Sequence, residues 1–112
     1  MEINAHTLLL DLNRRPLTHP DSGEPWSVGL VLSTVALGAP PKDVVYTEAE
    51  HKARYKIAVD IRDAMEQDPE TAMINLTPEM IVMLKADIMR SFGPIVGGQI
   101  APILNGETTR LN

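Results

Sequence analysis

The stretch Thr47-Glu48-Ala49-Glu50-His51-Lys52-Ala53-Arg54-Tyr55-Lys56-Ile57-Ala58-Val59-Asp60-Ile61-Arg62-Asp63-Ala64-Met65-Glu66-Gln67 decides the fold class. It opens on a capping box: the Thr47 hydroxyl can accept from the Glu50 amide, whose carboxylate reaches back to the Thr47 amide. Ala53, Ile57, Ile61, Ala64 and Met65 then recur at helical spacing and make one apolar stripe. Glu48 and Lys52 form an i,i+4 pair in the favourable order, worth ~0.3 kcal/mol. Asp68-Pro69 ends the element, because proline cannot continue the backbone bonding.

Working towards the N-terminus, Trp26–Leu37 reads as a second helix, with Val28, Val31, Leu32, Val35 and Ala36 at helical spacing. Pro25 suits a first-turn position and Ser27 suits a cap. Gly38-Ala39-Pro40-Pro41 stops the helix. Before it, His19-Pro20-Asp21-Ser22-Gly23-Glu24-Pro25 is dense in turn formers. The apolar run Leu8–Leu12 reads either as a strand, with Arg15–Thr18 returning beside it, or as part of a short helix over Ala5–Leu12; so short a run does not decide.

Towards the C-terminus, Met73–Leu76 is a short extended piece. Thr77 caps and Pro78 opens a further helix, with Ile81, Leu84 and Ile88 on its core side down to Ser91. Gly93-Pro94 breaks the chain, and Pro94–Leu104 forms a last apolar helix, kinked or ended near Pro102. The expectation is therefore a mainly α domain of three or four helices with an N-terminal β-hairpin or extended arm. Residues 1–25 form the arm, 26–104 the helical body and 105–112 a polar tail that frays.

The 112 residues suffice for one domain and for a core without staples. Trp26, Tyr46, Tyr55 and Phe92 are the only aromatic residues, so the core is aliphatic, which suits packed helices better than a β-sandwich. The absence of cysteine removes disulfides and thiolate chemistry and fits a reducing compartment. No apolar run reaches the roughly 20 residues that span a bilayer, and Met1-Glu2-Ile3-Asn4 lacks the basic start of a signal peptide. The net charge of −5 is spread so that none of the segments 1–46, 47–68 and 69–112 is basic, which disfavours nucleic acid as the main partner.

Candidate chemistry is sparse. His6, His19 and His51 are far apart, and none has a second ligand at i+3 or i+4, so they read as solvated side chains and not as a metal site. Asp60 and Asp63 stand beside Lys56 and Arg62 and read as a solvated, ion-paired face; Lys52 and Arg54 belong to the same reading. Ser33-Thr34 has no histidine at a local motif spacing to activate it. Gly93-Pro94-Ile95-Val96-Gly97-Gly98 lacks the Lys-Ser/Thr of a phosphate loop. No cofactor is called for.

Two patterns point instead to contact surfaces. Gly93, Gly97 and Ala101 recur every four residues and form a small-residue groove, read first as internal packing and second as a seam for a partner. Five of the six methionines fall between Met65 and Met89. Core filling is the first reading of them. Met80, Met83 and Met89 cannot all share the Ile81–Leu84–Ile88 face, however, so at least one is exposed on a surface able to adapt to a partner.

The blocks "LLLDLNRRPL…GEPWSVGLVLSTVAL", "EHKARYKIAVDI", "NLTPEMIVMLKADI" and "PIVGGQI" together resemble a set of small proteins encoded by tailed bacteriophages. The resemblance covers about 90 residues and implies an origin without a mechanism; Pro102 departs from its pattern. It leads to the expectation of a phage-encoded accessory protein in the cytoplasm of the bacterial host. Such a protein would act by binding a host or phage protein, or itself, through Met80, Met83, Met89, Gly93, Gly97 and Ala101. Alternatives are a nucleotide-sequestering anti-defence protein using Arg14, Arg15 or Arg90, and a virion assembly component. An enzyme ranks behind these.

Overall fold

Three hydroxyl side chains set where three of the helices begin. In a computed structural model, which describes residues 2–68 and 70–106, the order is β1 (Glu2–Asn4), α1 (Val28–Ala36), α2 (Glu48–Met65), β2 (Met73–Asn75), α3 (Pro78–Ser91) and α4 (Pro94–Leu104). Ser27 accepts from the Leu30 amide at the start of α1. Thr47 and Glu50 form the expected reciprocal box on α2. At α3, Thr77 accepts from the Met80 amide, and the Met80 sulfur lies 3.4 Å from the Thr77 amide, where a Glu carboxylate would normally sit. The fold is the mainly α architecture expected, with an extended N-terminal arm. The expected frayed tail lies, beyond Gly106, outside the described residues.

The arm is held by bridges between its own segments. Leu10 faces Pro16, Thr18 faces Pro25 and Leu8 faces Ser27, all antiparallel. Leu9 N–H donates to Trp26 O (2.9 Å), Trp26 N–H to Leu17 O (2.7 Å), and Leu17 N–H to Leu9 O (2.9 Å), a closed three-way ring of main-chain bonds. Leu8–Leu12 is therefore extended, with Arg15–Thr18 returning beside it, and the alternative helix over Ala5–Leu12 does not form. The turn between them puts Arg14 at φ 61. The Asp11 carboxylate accepts from the amides of Asn13 (2.8 Å) and Arg15 (3.0 Å) around it, a local partner for a strained corner.

The same bonds shift the start of α1. Because Trp26 belongs to the arm's ladder, the helix opens at Val28 and not at Trp26, and Pro25 sits in a bridge instead of a first turn. Further upstream, β1 pairs antiparallel with the distant β2, with Ile3 opposite Ile74.

Helix α1 runs through the middle. Val28, Val31, Leu32, Val35 and Ala36 are buried in one cluster with Ile57 and Ile61 of α2, Leu84 and Ile88 of α3, and Ile100 and Leu104 of α4. Each such large aliphatic side chain contributes ~1.5–3 kcal/mol when buried. Ser33 is buried too, its hydroxyl donating to Leu30 O (3.1 Å), and Thr34 donates to the same carbonyl (2.7 Å); both hydroxyls are committed to the helix. The arm reaches α1 at Gly29, whose N–H donates to Ala5 O (3.0 Å). A Cβ at Gly29 would lie 2.9 Å from that oxygen and 2.9 Å from Met65 Cγ.

One sequence expectation, the buried face of α2, is overturned. The buried face of α2 is Arg54, Ile57, Ala58 and Ile61, while Ala53 is exposed. Arg54 is thus not part of a solvated basic face, because it is drawn inward by the buried carboxylate of Asp87 on α3. Helix α4 spans Pro94–Leu104, the range expected, and runs on past Pro102 to its end. Pro102 removes only a bond close to the helix end. Leu104 is buried, and the Asn105 amide bonds Ala101 O (2.9 Å) to close the last turn.

Candidate interaction surface

Helix α3 carries two apolar stripes, and only one of them faces the core. Leu84 and Ile88 are fully buried, with Ile81 half-buried beside them. On the opposite side Val82 is 70% exposed and Met89 48%, and Ala86 is exposed between them. Met83 is half-buried at the edge. A helix that packs on one side only normally turns charged residues outward. Here the outward side holds Glu79 and Arg90 at its two ends and apolar residues in between.

The stripe continues into a groove between α2 and α3. Ala53, Lys56 and Ile57 form one wall, and Glu79, Met80 and Met83 the other, enclosing 280 Å³ that is almost wholly apolar. Pro78 and Val82 extend it along α3. Lys56 is drawn along its own helix by Asp60 (2.8 Å), the expected ion-paired face. Glu48 and Lys52 likewise pair at 3.2 Å.

The six residues singled out from the sequence fall into two groups. Met80 and Met83 come together in the groove. Met89 packs at the other end, where its methyl would lie 3.3 Å from a Cβ at Gly97. Gly97 is buried, so at this position the small-residue spacing serves close packing of α4 on α3. Gly93 starts α4 with open space around it, and Ala101 is half-buried further along. Sequence reasoning missed Val82 and Ala86. Their only signal was position, since both fall between the core positions Ile81, Leu84 and Ile88.

Beneath this surface lies a charged cluster that the sequence did not reveal. Arg54 Nη1 donates to Asp87 Oδ2 (2.6 Å) with the two side chains only 10% and 4% exposed. Arg90 Nη2 donates to Asp87 Oδ1 (3.0 Å) from α3 itself. The Arg54 guanidinium also stacks on the buried Tyr46, 4.2 Å from the ring centroid, and Tyr46 meets His51 edge-on. Asp87 is the reason Arg54 is buried: a guanidinium leaves water only where a carboxylate meets it.

The other histidines are not simply solvated. His6 Nε2 lies 3.1 Å from Gln67 O; His19 accepts from the Asp21 amide and rests 5.0 Å from the Trp26 ring. Among the described residues no group of His, Cys, Asp or Glu is placed to hold a metal. Of the arginines considered for a nucleotide, Arg14 lines a shallow hollow with Leu12, Pro94 and Ile95, whereas Arg90 is engaged by Asp87. None of the described helices is long and apolar enough to cross a membrane.

Comparison with protein-family models, with curated proteins and with solved structures returns no match.

Proposed function

We propose that this is a small phage-encoded accessory protein, acting in the host cytoplasm, that binds another protein chain through the outward face of α3 and the adjoining α2–α3 groove. The observation that carries the reading is the second apolar stripe of α3, with Val82 70% exposed in its middle. Scattered exposed apolar residues are ordinary on a protein surface, but a contiguous set continuing into an apolar groove favours a docking face. Met80 and Met83 in the groove add adaptable side chains that can fit a partner without a preformed pocket. The origin rests on the resemblance of the sequence blocks.

A photo-reactive amino acid in place of Val82 tests this in producing cells. Irradiation is expected to yield discrete protein adducts, whereas the same probe in place of Val45, which is 88% exposed in the loop before α2, yields none. Absence of adducts at Val82, or an identical pattern at both positions, removes the reading.

A further inference from the structure

The outward stripe of α3 has a charge order that matches its own reverse. Glu79 stands in the first turn and Arg90 in the last. They are about three helical turns apart and return to within about 20° of one another around the axis. Glu79 is exposed and has no ion-pair partner among the described residues. Arg90 shares the single carboxylate of Asp87 with Arg54, so the cluster holds two guanidiniums for one acid. Its surplus positive charge emerges at Arg90, whose side chain is 39% exposed.

Between the two charges, Val82, Met83 and Ala86 line the middle of the stripe. When a second α3 is laid antiparallel across the first, with a two-fold axis midway between Met83 and Ala86, the chemistry closes on itself. Glu79 meets the partner's Arg90, and the reverse contact follows by symmetry. Met83 faces the partner's Ala86, large against small, and Val82 falls beside the partner's Met89. An isologous interface demands this kind of self-complementarity. A parallel arrangement would set Glu79 against its own counterpart and repel.

We infer that the occupant of the outward face of α3 is a second copy of this chain, docked antiparallel about that axis with Glu79 of each copy on the partner's Arg90. The inference rests on the reading of this face as a docking surface and names its partner.

The test is solution mass by light scattering over a dilution series of the full chain. Wild type gives twice the monomer mass at high concentration. Glu79→Arg alone and Arg90→Glu alone each give monomer there, because each turns both end contacts repulsive. An equimolar mixture of the two variants recovers the dimer, since every mixed contact again pairs opposite charges. A merely structural role for either residue cannot produce that recovery. If Arg90→Glu fails to fold beside Asp87, Arg90→Gln replaces it and weakens the dimer about tenfold; an unchanged dimer then overturns the inference. A wild type that stays monomeric throughout also overturns it, as does a mixture of folded variants that stays monomeric. Adducts from Val82 to a different protein in that case leave the docking surface standing, whereas no adducts remove both.

Discussion

Asp87 shows how one side chain can fix the environment of several others. Its carboxylate holds Arg54 and Arg90 at once, and through Arg54 it fixes Tyr46, the last loop residue before the capping Thr47. Replacing both buried partners with apolar residues need cost little, but removing one leaves the other charge without compensation. Asp87→Ala is therefore expected to destabilise the protein by ~3–5 kcal/mol, read from the denaturant midpoint. A loss below about 1 kcal/mol would mean that Arg54 swings out to water at little cost, as exposed pairs do. This pair was not legible in the sequence. Arg54 continues the stripe of Ile57 and Ile61 by spacing, but a charged residue there reads as a surface residue until its partner is known. That partner lies on another helix, and no local pattern announces it.

At the scale of elements, the sequence was most readable where local chemistry decides. Thr47 with Glu50, and Thr77 with Pro78, mark helix starts because each satisfies amides that the helix cannot. The hairpin of Leu8–Leu12 with Arg15–Thr18 was one of two readings; the main-chain ring through Leu9, Leu17 and Trp26 holds it, and a residue far away in sequence adds to it. Gln99 of α4 accepts from the Leu10 amide (2.9 Å) and donates to the Leu10 carbonyl (2.7 Å), while also donating to Ile95 O (2.6 Å). Its carboxamide takes the place of a neighbouring strand along the open side of Leu10. Gln99→Ala leaves both main-chain groups to water and is expected to cost ~1–3 kcal/mol. The effect should be local: hydrogen exchange at the Leu10 amide accelerates, while exchange at Leu84 in the core of α3 changes little. Equal acceleration at both sites would show that the arm does not open separately from the helices. The short β1 was not legible at all, because Glu2-Ile3-Asn4 offers one apolar residue and no period to read.

For the whole molecule, the relation between arm and helical body turns on Gly29. Its missing Cβ lets the Ala5 carbonyl and Met65 both close on α1 at the same point. Gly29→Ala adds a methyl that the Ala5 main chain cannot evade by a rotamer change, and it is expected to cost ~1–3 kcal/mol despite the better helix propensity of alanine. A higher melting temperature for this variant would show that the arm gives way freely. The outward face of α3 was half legible at this scale: the methionine cluster drew attention to α3, where Met80 and Met83 line the groove against α2. Val82 was not legible because a single valine between core positions carries no pattern of its own beside the methionines.

The pairing of Glu2–Asn4 with Met73–Asn75 also sets a timetable. On a ribosome the chain emerges in order, and residues 2–4 have no strand to join until residue 75 has cleared the exit. The Leu9–Leu17–Trp26 ring can close within a short span of chain, but Ile3 must wait through all of α1 and α2 for Ile74. Such distant pairing slows folding, since a long loop is closed before any contact rewards it. The nascent arm thus waits with its first strand unmatched, and β2 fastens it only after both of the first two helices have been made.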